Sequence, residues 1–322
     1  MKRLLKIYLE KPELAGAVLL VLLIILFEIA SSGTFLSYEN VRGILGLLPE
    51  VGLVAIGVTI LMIAGEFDLS VGSVFALAPM VMAVSMVAGV PFVPAVLLGL
   101  VAAAFVGFLN GFITLRFAIP SFITTLGMLF VARSVTVVIS GGFPPVLPFD
   151  IPSWIFTYYV GLIRLSMFWF AAIAIVLAAV LSLTNFGNWV KSTGGQIEAA
   201  GAMGISTSAV KMICFALCSV LAGFAGIIQV LRLGSPLPSL GEGLELQAVA
   251  AAVIGGASLY GGIGTVLGAL VGALLIRIID NGLVLSHVEA NWFKFAIGTL
   301  LILAVVANAW LRRTSRRIKL EM

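Results

Sequence analysis

Runs of about twenty apolar residues recur along this chain from Leu14 to Trp310, separated by short polar breaks. A hydrocarbon core about 30 Å thick needs that length of helix to cross it, and in lipid each segment must satisfy its own backbone polar groups. The pattern therefore implies an all-α membrane protein. A transmembrane barrel would need strict polar alternation, which the chain lacks. Composition agrees, because 61% apolar against 10% charged residues, with a mean hydropathy of +1.23, exceeds what one soluble core can hide.

Crossings are expected near 14–32, 44–64, 69–88, 92–114, 120–140, 164–183, 209–231, 244–257, 263–281 and 292–310, about ten in one transmembrane domain over 1–322. Lys2, Arg3, Lys6 and Lys11 precede the first crossing; Arg312, Arg313, Arg316, Arg317 and Lys319 follow the last. Cations mark the cytoplasmic side, so both termini are expected inside and the number of crossings is even. The same reckoning puts 184–208 in the cytoplasm and 141–163 outside. The outer segment has no Lys or Arg but holds Pro144, Pro145, Pro148, Pro152, Trp154, Tyr158 and Tyr159, an interfacial mix. The net charge of +4 resides at the two ends and in short loops, where it orients the chain instead of pointing to nucleic acid. Lys2, Arg3 and Lys6 before Leu14–Ala30 have the outline of a signal peptide, but with so many spans following they read as a retained first span.

An internal repeat is visible. Asn110-Gly111 and Asn281-Gly282 lie 171 residues apart, and Phe122 and Gly127 match Phe293 and Gly298 at that offset. Gly65-Glu66-Phe67-Asp68-Leu69 resembles Gly241-Glu242-Gly243-Leu244-Glu245-Leu246 with one residue inserted. Five crossings separate the matched points, so the second copy (spans 7–10) would enter inverted relative to the first (spans 2–5). Inverted repeats are a plan for carriers, with the solute path at their interface. Chance likeness of two Gly-rich apolar stretches is the alternative.

Transport chemistry is expected where helices break, because irregular backbone at membrane depth survives only when buried or lining a cavity. One break is Gly65–Ser73. There Asp68 or Ser70 either caps the following helix or belongs to a gate, with Gly65 and Gly72 as hinges. Another runs from Gly241 to Leu246 and on to Gly255-Gly256 and Gly261-Gly262-Ile263-Gly264, whose glycines either permit close packing or let helices unwind around a ligand. Polar groups beside the breaks, Asp68, Ser70, Asn110, Glu245, Gln247 and Asn281, are the candidate substrate contacts. Glu28, Glu50, Arg133, Arg277 and Asp280 fall within spans; snorkelling is the default for the arginines, and Glu50 is a candidate partner for Arg133. Cys214 and Cys218, four apart on an apolar run, read as packed helix residues. His287 is the only histidine, so no histidine-rich metal site or Ser-His, Cys-His or HExxH pairing is available. No GxxxxGK[ST] loop occurs either, so active transport would draw on a separate ATPase.

The polar stretch Gly187–Lys211 lies deep inside this apolar chain, on the side that charge assigns to the cytoplasm. Four blocks in order now carry a resemblance: Glu66–Ser73; Ile119–Met128; Gly194–Gly201 with Met203-Gly204-Ile205; and Glu245–Gly256 through Gly261–Thr265 to Asn281-Gly282-Leu283. Over about residues 40–310 the chain resembles the permease subunits of ribose-type, or simple-sugar, ATP-binding cassette importers.

The resemblance implies a bacterial inner-membrane subunit, not an enzyme, that moves a sugar or polyol delivered by a periplasmic binding protein. It further implies a second permease copy or paralogue, surrounding lipid, and a cytoplasmic ATPase that holds ATP and Mg²⁺; no cofactor is expected in this chain. The loop at 184–208 would couple to that ATPase through Gly195, Gln196, Ile197, Glu198, Ala199, Ala200, Gly201 and Gly204. The residue types suit a short docking helix, since Glu198, Ala199 and Ala200 favour a turn that Gly201 and Gly204 can end. Two positions depart from the family pattern: Asn188 stands where Arg is common, and Gln196 where Asn is. An ion-coupled secondary carrier of a small polar solute is the alternative, weakened by the lack of a chain of intramembrane acids.

Overall fold

The computed structural model describes residues 13–148, 151–289, 292–299, 302–303 and 306, with side chains from residue 16 onward. The terminal cations used to orient the chain lie outside this range. The described chain is built of helices joined by turns and irregular breaks, with one small hairpin. In order come α1 (Glu13–Ala30), α2 (Tyr38–Ile63), α3 (Val71–Val87), α4 (Phe92–Phe117), α5 (Ser121–Ile139) and the single turn α6 (Trp154–Thr157). The hairpin β1 (Tyr159–Val160) and β2 (Ile163–Arg164) leads into α7 (Leu165–Leu183), α8 (Asn185–Gly195), α9 (Ile197–Ala202), α10 (Thr207–Leu233), α11 (Leu244–Ile254) and α12 (Val266–Leu285). Residues 292–299 are helical as well.

Among the described residues, α2, α4, α5, α7, α10 and α12 are long and apolar enough to cross a membrane. α1, α3 and α11 supply shorter apolar helices. Their ends follow from local chemistry. Ala118, left-handed at φ 53, closes α4. Pro91 and Pro120 stand immediately before α4 and α5, where a missing N–H costs nothing. Thr265 caps α12 by accepting from the Gly268 N–H at 2.9 Å.

Two helices form the centre. α2 is buried along the whole of Val51–Ala64, and α10 crosses it. Without a hydrophobic drive between helices in lipid, small residues set how closely backbones approach. Gly57 faces the Cys218 backbone, Gly223 fits between Ala78 and Ala103, and Gly107 faces the Phe215 carbonyl. Cys214 and Cys218 are unpaired and buried on α10, as packed helix residues should be. At the periphery, α5 buries only Ser121, Thr125, Ala132 and Thr136, leaving Phe122, Phe130 and Val138 exposed.

Candidate functional site

The first helix break is a stretch of irregular backbone, 64–70, laid along the start of α5. Past Glu66, two of its amides are satisfied by side chains: Phe67 N–H donates to Ser121 Oγ and Leu69 N–H to Thr125 Oγ1, both at 3.1 Å. Ser73 Oγ, just inside α3, donates to the Leu129 carbonyl at 2.7 Å. Gly65 opens the break at φ 87. Asp68 closes it, accepting from Ser70 N–H at 2.8 Å and from Ser70 Oγ at 2.6 Å. Ser70 stands at the N-cap of α3 and its side chain makes no capping bond; Asp68 braces Ser70 from two residues before.

Asp68 also ties three helices together. Asn110 on α4 donates to it at 3.3 Å and to Ser70 Oγ at 2.9 Å, and Ser219 on α10 donates to it at 3.4 Å. Asp68, Ser70, Asn110 and Ser219 have no exposed surface. These side chains bond chiefly to each other, with Asn110 Oδ1 buried and unpartnered, so the cluster ties the break to α4 and α10.

The second break, 234–243, leads into α11 through left-handed Gly241 (φ 73) and Gly243 (φ 78). It meets the first turn of α3, just past the first break, backbone to backbone: a Cβ on Gly241 would lie 3.2 Å from the Gly72 carbonyl carbon. Arg133 on α5 clamps the pair. Its Nη1 donates to the Leu240 carbonyl at 2.7 Å and also to the Pro238 carbonyl, and its Nη2 donates to the Gly72 carbonyl at 3.2 Å. Carbonyls have thus replaced the two expectations for Arg133, snorkelling and a Glu50 partner. Glu50, 2% exposed, belongs instead to Arg232, which bonds it through two nitrogens at 2.9 and 3.1 Å. Glu245 and Gln247, on the first turn of α11, are half-buried. Glu245 comes so near Gly72 that a Cβ there would strike its carboxylate.

Asn281 is not part of this assembly. It exchanges amide hydrogen bonds of 2.9 and 2.8 Å with Asn40, at the far end of α2 from the first break. Gly255 packs against Gly268 of α12, while Gly256 turns the chain at φ 93. Among the described residues, no group of three or more His, Cys, Asp or Glu gathers to hold a metal.

The polar stretch folds into α8 and α9, separated by extended Gln196 (φ −158). Within α9 only Ala200 is buried; Ile197, Glu198, Ala199, Gly201 and Ala202 are exposed, and Met203 beyond it is 83% exposed. Gly204, at φ 82, ends the turn. Behind this outward face, the Gly262 N–H donates to the Ile63 carbonyl at 2.8 Å, and Lys211 pairs with Glu66 at 2.6 Å. Sequence reasoning did not find Ser219, Arg232, Lys211 or Ser121. Each is an ordinary residue locally and gains meaning only from a partner on a distant helix.

A membrane-embedded helical bundle with two interlocked helix breaks and an outward-facing polar helix pair is the build of a polytopic permease. A family model described as branched-chain amino acid transport system / permease component matches residues 40–305. The chain is 33% identical over 308 residues to the ribose import permease protein of Escherichia coli, covering 94% of this chain and 96% of that one. It is 33% identical over 273 residues to an autoinducer 2 import system permease protein of Photorhabdus luminescens, covering 83% and 80%. The counterpart from Salmonella typhimurium is 31% identical over 312 residues, covering 96% and 89%. No solved structure matches. The chain belongs to this permease family: it is the multi-pass membrane component of an ATP-binding cassette importer, a translocation subunit and not an enzyme.

Proposed function

We propose that this permease passes a monosaccharide or related small polar solute into the cytoplasm, taking it from a periplasmic binding protein. A cytoplasmic ATPase that binds ATP and Mg²⁺ docks at Gly195–Gly204 and drives the cycle. The observation that carries the docking is α9 itself: a short helix with Ile197, Glu198, Ala199 and Met203 all exposed at the end of a buried framework. The cargo class rests on relatives named for ribose and for autoinducer 2.

The chain crosses ten times as a single domain, with both termini in the cytoplasm. In support of that number, six long helices, three shorter apolar ones and the described helix at 292–299 overlap the expected runs. The repeat is inverted. In its support, α10 packs on α3 and α4 as α2 packs on α11 and α12, and α2 and α10 cross each other. The two breaks then occupy equivalent places, and Gly241 of the second touches Gly72 just past the first. Asp68, Ser70 and Asn110 serve as a gate, with Gly65, Gly72, Gly255 and Gly256 as its hinges, and Glu245 and Gln247 line the path. Asn281 marks the repeat and fixes α12 to α2. The exposed face of α5 meets a second permease copy or paralogue, and the remaining apolar surface meets lipid.

Glu198→Arg and Gly201→Arg, on the exposed surface, test the docking. Both variants should insert normally yet fail to copurify the ATPase and lose ATP-driven uptake. Normal uptake by both would remove α9 from the mechanism.

A further inference from the structure

Three stretches of backbone far apart in sequence converge behind α9: the end of α2 at 63–65, the end of α8 at 194–195, and the α11–α12 turn at 258–264. Their contact is made almost entirely of main chain. A Cβ on Gly194 would drive into the Ile63 carbonyl oxygen and lie 2.8 Å from its carbon and 2.9 Å from the Ala64 carbonyl carbon. One on Gly261 would lie 2.9 Å from the Gly194 carbonyl carbon, and one on Gly262 would lie 2.7 Å from the Gly195 Cα. The hydrogen bond from Gly262 N–H to the Ile63 carbonyl closes the triangle at 2.8 Å. The glycines of the outward face differ, for Gly201 and Gly204 have nothing within 4 Å of such a Cβ.

We infer that Gly194, Gly261 and Gly262 are positioning residues for transport: they form a backbone linkage that carries displacement of α9 into the helix break at 64–70 and the turn at 255–265. This rests on the reading of α9 as the ATPase contact. Side chains absorb small shifts by changing rotamer, whereas abutting backbones have no rotamers and transmit strain through a close-packed interior. Only Gln196 separates Gly195 from the start of α9, and Gly194 directly precedes Gly195. The segment they press on leads within a few residues to Asp68, which holds Ser70 at the start of α3. On its other side the same segment is pinned to α10 by Lys211 and Glu66 at 2.6 Å, each side chain 11% exposed. A single input at α9 thus reaches a break in each half of the bundle.

Gly194→Ala and Gly261→Ala add one methyl group at the junction and leave the α9 surface untouched. Gly43→Ala, whose Cβ would meet nothing within 4 Å, is the control. In the reconstituted complex of permease, ATPase and binding protein, the junction variants should bind the ATPase and hydrolyse ATP within about twofold of the parent. Solute moved per ATP should fall by about tenfold or more, and the control should match the parent. Unchanged transport per ATP in both junction variants would overturn the inference. Hydrogen exchange on the unmodified complex gives a second measurement that requires no variant to fold. Nucleotide should alter protection of 195–204, 63–70 and 258–265 together. A change confined to 195–204 contradicts the linkage, while no protection of 195–204 on adding the ATPase sinks the docking reading and the inference with it.

Discussion

Arg232 on α10 grips Glu50 on α2 through two nitrogens, at 2.9 and 3.1 Å, where Glu50 is 2% exposed and the arginine side chain 23%. The two central helices are therefore joined by a charge pair largely withdrawn from solvent. Removing one partner strands the other: Arg232→Ala should destabilise the fold by about 3–5 kcal/mol, because an uncompensated buried carboxylate remains. Glu50→Gln combined with Arg232→Met should recover most of that loss. Thermal melting of the purified protein in one detergent compares the variants, and equal melting of Arg232→Ala and the parent would refute the role.

Asp68 receives Ser70, Asn110 and Ser219 in a site with no exposed surface. In Asp68→Ala those donors lose their acceptor, at about 1–3 kcal/mol for each one left buried and unmade. Ser219→Ala removes only one long bond and should cost less. A double-mutant cycle on Asp68 and Ser219, read by the same melting experiment, should give a coupling of at least about 0.5 kcal/mol, since groups in contact are not additive.

Arg133 reaches carbonyls on the second break and on the first turn of α3 because a guanidinium is a planar fork. A lysine presents a single point of charge and cannot span Leu240 and Gly72 together. Arg133→Lys should therefore behave nearly as Arg133→Ala, with faster hydrogen exchange across 234–244 and reduced uptake. Parent-like exchange in Arg133→Lys would mean that one bond suffices.

Cys214 and Cys218 are free thiols at 0% and 1% exposure. A maleimide reagent should leave both unmodified in the folded protein for hours and label both on denaturation, since reactivity requires access. Rapid labelling of the native chain would contradict the packing of α10 against α2.

Span positions were legible because crossing a bilayer imposes a length. The expected run 209–231 falls within α10, and 120–140 brackets α5. The start of α2 was placed late, at 44, because Glu39, Asn40 and Arg42 break the apolar window. The helix nevertheless begins at Tyr38, with Asn40 held by Asn281 and Arg42 stacked 4.1 Å from the Tyr159 ring centroid. The span at 244–257 stops at Ile254, where Gly255 and Gly256 turn the chain. Asp68 as a residue just before a helix start was readable locally, since Asp and Ser ahead of an apolar run are a helix-start pattern. Its partner Ser219 was not, nor was Arg232 for Glu50, because such pairings are set by which helices cross and not by neighbours in sequence. The glycines at 194, 261 and 262 were visible as letters, but the carbonyls they make room for come from other segments.

Uptake of radiolabelled ribose into proteoliposomes tests the central claim most directly, with the permease alone under a proton or sodium gradient, and with the permease plus its ATPase and binding protein. Accumulation should appear only in the complete assembly, require hydrolysable ATP, and disappear in Gly201→Arg. If ribose is not the cargo, binding-protein-stimulated ATP hydrolysis that requires the permease and is lost in Gly201→Arg reads the same coupling. Gradient-driven uptake by the permease alone, or stimulated hydrolysis indifferent to Gly201→Arg, would contradict it.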